Sequence, residues 1–475
     1  MEEKDCVYDW ETNGLNKGWK YPHEIAIADL DDEESLKRYD IKIPDYELPG
    51  PMAFYNTNTS WKKAREGETL YNILPNILSD MYDYDVIWAW NHSYDLDVLE
   101  QSLFNNGLNP WSYRNEGRVF CDALPFISLA SVIYPDIIKI PTKERIKKDK
   151  KEIVFSHVLE NVYKESFPND TSLIWHQADS DVKATVRLLN VIKENCPDFW
   201  NLRTRMFSEF ARQDIFSKEA VWIRYRYNEK EINPMLPVYQ RDKKTWFSID
   251  LLKYHNEGGL LEKNRNQIKK VGKGETKTLP NWLHGKAYTT MKQIVLDASW
   301  FDLPINFSLP PKNEIDEIKL LIEDNLSNLT IWPEKDEEYL EQQMFGFPSY
   351  KDKDAWVNFH KAETWDKKVQ TKFKDKRSKR IAQRIIFDNA PEVLDDLAYG
   401  NIINEIKKRW ISIGPKQRPY GKHISGESWV TIPTALENIR QCEQEDHLEK
   451  NSHKDIGKSL GGYKEFLLKL YDDLK

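Results

Sequence analysis

The run Cys6-Val7-Tyr8-Asp9-Trp10-Glu11-Thr12 holds an Asp-x-Glu pair among strand-favouring residues, and Asn13-Gly14 supplies a turn after it. Side chains alternate along a strand, so Asp9 and Glu11 share one face, about 6 to 7 Å apart. Two buried carboxylates at that spacing repel. A divalent cation removes the repulsion, and hard oxygen donors suit Mg2+ or Mn2+. For the pair alone, a solvated polar strand face is the simpler account. Two further groups bear on the choice. Trp90-Asn91-His92-Ser93-Tyr94-Asp95 lies where an apolar run hands over to a helical pattern. There Asp97 competes with Asp95, and either could serve as a helix cap. His176-Gln177-Ala178-Asp179-Ser180-Asp181 opens a second helical pattern. Asp179 and Asp181 do not face one site, because residues two apart on a helix diverge. A histidine, with an ordinary pKa of about 6.5, can take a proton from water near neutral pH. Four carboxylates and a base make up the equipment for metal-assisted hydrolysis.

The elements that must position these groups follow from the hydrophobic pattern. Residues 6–12, 24–30, 38–43 and 86–90 read as strands, the last almost wholly apolar as in a central strand. Helical spacing covers 68–81, with Leu70, Ile73, Leu74, Ile77 and Leu78 on one face and a kink or restart expected at Pro75. It returns over 94–106, over 120–133 (at least after Pro125) and over 178–194, where Val182, Thr185, Val186, Leu189 and Ile192 form a buried stripe. This order predicts a three-layer α/β domain over residues 1–200. A mixed β-rich region is expected over 201–352, with short strands at 222–227 and 245–251. A charged helical region is expected over 353–475.

Composition narrows the function classes. The 475 residues carry 69 basic and 77 acidic side chains, a net of −8, so any nucleic-acid surface must be a local track. Three stretches could supply one: 143–151 with six basic side chains, Lys269-Lys270-Val271-Gly272-Lys273, and 364–384 with nine basic against two acidic. Residues 143–151 could equally be a solvated loop, and a charged helix face is the usual account of 364–384. Four cysteines without a Cys-x-x-Cys pair exclude zinc-ribbon and thioredoxin readings. The N-terminal residues lack the pattern of a secretory signal, and no apolar run reaches about 18 residues. A cytoplasmic location is the expectation.

Together, the acids, the histidine and their order resemble the DEDDh exonucleases of the ribonuclease-H-like fold. More of the chain is similar to the exodeoxyribonuclease I family. The resemblance rests on Tyr21-Pro22-His23-Glu24-Ile25-Ala26, Tyr46-Glu47-Leu48-Pro49-Gly50-Pro51 and Asn109-Pro110-Trp111-Ser112-Tyr113. In the C-terminal half it rests on Gln343-Met344-Phe345-Gly346-Phe347, Phe373-Lys374-Asp375-Lys376-Arg377, Asn389, Pro391, Leu394 and Arg409-Trp410. It is thin over 228–335. It implies a mixed five-stranded sheet with flanking helices, then an SH3-like β-rich domain and a C-terminal helical domain around a groove for single-stranded DNA. It further implies that Asp9, Glu11, Asp95 and Asp181 bind two Mg2+ ions, with Mn2+ as a substitute, and that His176 is the general base. Glu11, Thr12, Trp111, Tyr113 and His176 would contact the substrate, with ordinary core packing an equal alternative for Trp111 and Tyr113. The activity implied is 3′-to-5′ removal of 5′-mononucleotides from single-stranded DNA by a monomer, in DNA repair or recombination. A single-stranded-DNA-binding protein's acidic tail is an implied partner. Two departures stand out: Val158 and Glu100 occupy positions where the family has DNA-contacting arginines. An exoribonuclease and a non-catalytic nucleic-acid-binding protein are the alternatives.

Overall fold

The computed structural model describes the chain apart from residues 1–2, 16–18, 58, 116, 148–149, 229, 243–244, 277, 288–293, 300–305, 328–339, 345, 413–428, 449–455 and 475. Five strands form the first sheet: β1 (Asp5–Thr12), β2 (Pro22–Asp29), β3 (Lys37–Asp40), β4 (Val86–Ala89) and β5 (Val119–Asp122), in the order β3-β2-β1-β4-β5. β1 pairs antiparallel with β2 and parallel with β4, and β5 continues the parallel half. Alternation along β1 sends Cys6, Tyr8 and Trp10 into a core built with the helices Leu70–Tyr82 and Ser93–Asn105. Val7 faces the opposite core, built with the helices Ala123–Ile133 and Ala178–Asn195. Asp9 and Glu11 therefore lie on the face covered by Ala178–Asn195, just beyond its apolar part.

Three expectations change. The apolar stretch from 120 is not helical throughout. Phe120 to Asp122 belong to β5, and the helix starts at Ala123, capped by Asp122, whose carboxylate accepts the Leu124 amide. An unbroken apolar run satisfies a buried strand and a buried helix alike, so periodicity alone could not separate them. Pro75 lies inside one continuous helix, Leu70–Tyr82. Residues 143–147 and 150–151 lie on an antiparallel strand pair, β6 (Thr142–Lys147) and β7 (Lys150–Phe155), rather than in a loop.

A second, wholly antiparallel sheet follows: β8 (Trp222–Arg226), β9 (Glu231–Asp242), β10 (Thr245–Asp250), β11 (Leu283–Ala287) and β12 (Val295–Asp297), in the order β11-β10-β9-β8-β12. This is the expected β-rich part, and it is packed on the helices Glu262–Gly272 and Lys312–Leu326. Ile223, Tyr225, Ile294 and Leu296 reach from its edge into the first domain's core.

The C-terminal helices share cores with the first domain as well. Phe104 packs with Leu340, Phe347, Trp356, Phe359 and Ile381. Ile43, Leu48, Phe54 and Tyr55 pack with Ile432, Ile439, Tyr463 and Leu467. Leu340 and Phe347, upstream of the expected boundary at 353, already belong to the helical core.

Candidate metal centre

β4 stops at Ala89, and its pairing with β1 covers only Asp5 to Val7. The far end of β1 thus loses its parallel neighbour, which opens a crevice beyond the carboxyl ends of the parallel strands, a usual place for ligands in α/β sheets. The side chain that fills the break is Asp95, in the first turn of Ser93–Asn105. Its Oδ1 accepts the Trp10 amide at 3.1 Å. Asp95 is buried and electrostatically coupled to Asp9, whereas Asp97 is half-buried.

Asp9 and Glu11 come from β1, and Asp181 from the first turn of Ala178–Asn195. One oxygen of each lies within 4.8 Å of the others, and they are the one such acidic group among the described residues. Burial drives their electrostatics. The Asp9 carboxyl is pushed up to about 7 by desolvation and by the Glu24 charge. Glu11, Asp95 and Asp181 are raised well above the carboxylate range, by desolvation first and then by neighbouring carboxylates, Asp9 among them in each case. Asp181 Oδ1 is buried with no hydrogen-bond partner. Converging all-oxygen donors, one buried and unsatisfied, fit a hard divalent cation. Asp95 stands beside this trio, held to the strand by Trp10.

His176 is exposed, two residues before the helix, with its backbone in the left-handed region at φ 62°. Its amide donates to the Asp181 carboxylate. It opens on a cleft of about 380 Å3 lined also by Trp90, His157, Val158, Trp175, Asp181 and Tyr227, at the seam with the second sheet. Asn91, also with a positive φ of 55°, lines the same cleft. Residues held in that region concentrate at functional sites.

The other expected contacts fare differently. Tyr113 is fully buried and donates to Glu100 Oε1 at 2.6 Å, so it is a core brace and not a stacking platform. Glu100 is its internal acceptor. Trp111 is half-buried against the same core. Thr12 is buried, its hydroxyl donating to the Gly14 carbonyl at 2.7 Å and touching the Tyr94 hydroxyl. Its side chain therefore serves as an internal brace. Val158 is exposed at the start of the helix Leu159–Ser166.

Of the basic stretch 364–384, Lys368 is buried and donates to the Phe359 carbonyl at 2.8 Å, and Arg377, Arg380 and Arg384 are engaged with acidic partners. Lys372, Lys374, Lys376 and Lys379 remain exposed, as do Lys269, Lys270 and Lys143.

Two participants escaped the sequence. Lys20 is buried, its ammonium 3.5 Å above the Tyr94 ring, donating to the Tyr94 carbonyl at 3.0 Å and offsetting the Asp95 charge. Glu24 is buried directly across from Glu11 in the β1–β2 register. In the strand Pro22–Asp29 it is the buried one of two acids, the other being the half-buried Asp29 at the end.

Neither a protein-family model nor a curated protein sequence matches the chain. Solved structures do. E. coli exonuclease I in complex with a dA16 oligonucleotide superposes with a TM-score of 0.70 at 14% identity, covering 100% of both chains. The zinc-bound form of the E. coli exonuclease I–single-stranded DNA complex gives 0.70 at 16%, again over 100% of both. A structure of SSB/exonuclease I with an inhibitor gives 0.70 at 16% with the same coverage. The whole chain, from first sheet to C-terminal helices, has the fold of exonuclease I.

Proposed function

We propose that the chain is a metal-dependent 3′-to-5′ exonuclease acting on single-stranded DNA. The observation that carries this is the convergence of Asp9, Glu11 and Asp181 oxygens within 4.8 Å, with Asp95 coupled to Asp9 and with His176 and Asp181 lining one cleft. It occurs in a chain whose full length follows a fold solved with single-stranded DNA bound. Two Mg2+ ions, or Mn2+ in their place, would supply charge neutralisation at the scissile phosphate and a more acidic water. Asp9, Glu11, Asp95 and Asp181 would hold them. His176, at the mouth of the cleft, takes the proton of the attacking water. The 3′-terminal nucleotide leaves as a 5′-mononucleotide.

The cleft's Trp90, Trp175 and Tyr227 offer aromatic surface to unstacked bases, and exposed Lys143, Lys269, Lys270, Lys372 and Lys379 offer charge to the backbone. The likeness to an SSB/exonuclease I structure supports the acidic tail of a single-stranded-DNA-binding protein as a partner. A monomer in the cytoplasm, working in DNA repair or recombination, completes the proposal. The test is 3′-end loss from labelled single-stranded DNA, single-stranded RNA and duplex DNA with Mg2+. Preferential loss from RNA would replace this reading with an exoribonuclease. No loss from any substrate would favour a binding protein.

A further inference from the structure

Glu24 has no part in the reaction above, yet both its oxygens are engaged. Oε1 accepts the Ala178 amide at 3.0 Å, across 154 residues of chain. Oε2 accepts Arg38 Nη2 at 2.6 Å and lies 3.7 Å from Lys63 Nζ. Arg38, on β3, also reaches Asp40 at 3.3 Å and Asp179 at 3.5 Å.

Ala178 is the first residue of the helix that carries Asp181. The first amides of a helix have no partner within it. Gln177, at the cap position, makes no side-chain cap bond. Glu24 supplies the missing acceptor from a neighbouring strand, and its charge is favourable at a helix N-terminus. Two residues upstream, His176 is held at φ 62°, a conformation that persists in a non-glycine residue only when its surroundings over-determine it.

We propose that Glu24 is a positioning residue. With Arg38 it latches the start of Ala178–Asn195 to the sheet, and so holds Asp181 and His176 in place for the metal centre. Because both its oxygens are committed, Glu24 acts through the helix and not as a ligand. The activity arm of the test rests on the exonuclease reading; the binding and exchange arms do not.

The test compares Glu24→Gln, Glu24→Ala and Arg38→Ala in the full chain. Readouts are Mn2+ binding followed by the electron paramagnetic resonance signal of free Mn2+, hydrogen exchange across residues 174–182, and kcat and KM on single-stranded DNA. Glutamine keeps an acceptor for the Ala178 amide but gives up the ion pair with Arg38, so Glu24→Gln should lose about as much as Arg38→Ala, and less than Glu24→Ala, in every readout. Glu24→Ala should weaken Mn2+ binding and lower kcat by about 10- to 100-fold, speed exchange at the helix start and leave KM unchanged. Glu24→Gln as damaging as Glu24→Ala would overturn the latch, since the acceptor for the Ala178 amide would then contribute nothing. Glu24→Ala with parental Mn2+ binding and exchange would also overturn it. Should Glu24→Ala not fold, Arg38→Ala decides, because Arg38 lies on an edge strand and parental behaviour there removes the latch. A parent chain that binds Mn2+ but cuts no DNA would defeat the exonuclease reading while the latch test still stands.

Discussion

Two buried clusters of charge in this molecule are opposites. At the end of β1 four carboxylates crowd together, and their proton affinities are raised, with burial as the first cause. Between the C-terminal helices Glu341 and Glu405 are bridged by Arg384 and Arg409 at 2.6 to 2.8 Å. There the two guanidiniums outweigh burial: Glu341 is pulled down to about 2, and Glu405 is lowered too. Both clusters mix buried and half-buried side chains. They differ in whether the chain supplies the countercharge. Where it does, the cluster is structural and joins Leu340–Gln342 to the helices Lys376–Asn389 and Asp396–Ile411. At the end of β1 Lys20 offsets the Asp95 charge, and Asp9, Glu11 and Asp181 converge as donors that could hold a divalent cation.

The largest test of this contrast is Asp9→Asn. It should lower nuclease activity by more than about 100-fold, beyond what outer-shell changes cost, and abolish Mn2+ binding. In metal-free buffer it should raise the melting temperature, because it removes a buried charge among like charges. A lowered melting temperature would mean the cluster is internally balanced. His176→Ala should lower kcat by about 10²- to 10⁴-fold while Mn2+ binding stays parental, a separation that isolates the base from the ligands. Glu341→Gln should do the reverse of Asp9→Asn. It strands Arg384 and Arg409 on Glu405 and costs about 3 kcal/mol in urea unfolding, with Mn2+ binding unchanged.

The smallest effect is in pH. Between about 4, the unfolded value, and about 7, the folded value, Asp9 holds its proton only in the folded chain. Metal-free stability should therefore fall as pH rises through that window, by up to about 1.4 kcal/mol per pH unit for one such group. Metal binding needs the deprotonated carboxylates, so added Mg2+ should raise the melting temperature more at pH 8 than at pH 5. Glu341, shifted the other way, contributes stability above about pH 4.3 that is lost as pH falls through about 2. Equal Mg2+ stabilisation at pH 5 and pH 8 would remove the distinction between the clusters.

Much of the site was legible because its residues sit on elements with clear periodicity. Period-two alternation places Asp9 and Glu11 together, and the stripe from Val182 to Ile192 sets which side of that helix Asp181 occupies. The helix after 93 and the strand at 86 could be read for the same reason. The hairpin at 142–155 was less legible, because its exposed, charged strands lack a hydrophobic face to announce them. Tyr113 and Lys368 misled because an aromatic or a basic side chain reads the same in sequence whether it is buried or exposed.

The sequence by itself determined the chemistry-bearing side chains, the strand and helices that carry them, and the order α/β, β-rich, helical. Tertiary structure alone brought Asp181 and Asp95 to the Asp9–Glu11 pair. β4 ends at Ala89 and frees the Trp10 amide for Asp95, a consequence of strand length in a sheet. Glu24 meets Ala178 across 154 residues, and Glu341 meets Arg384 and Arg409 across 43 and 68. Such encounters leave no local pattern, because they arise when separate elements pack and the buried charges must find partners or a metal.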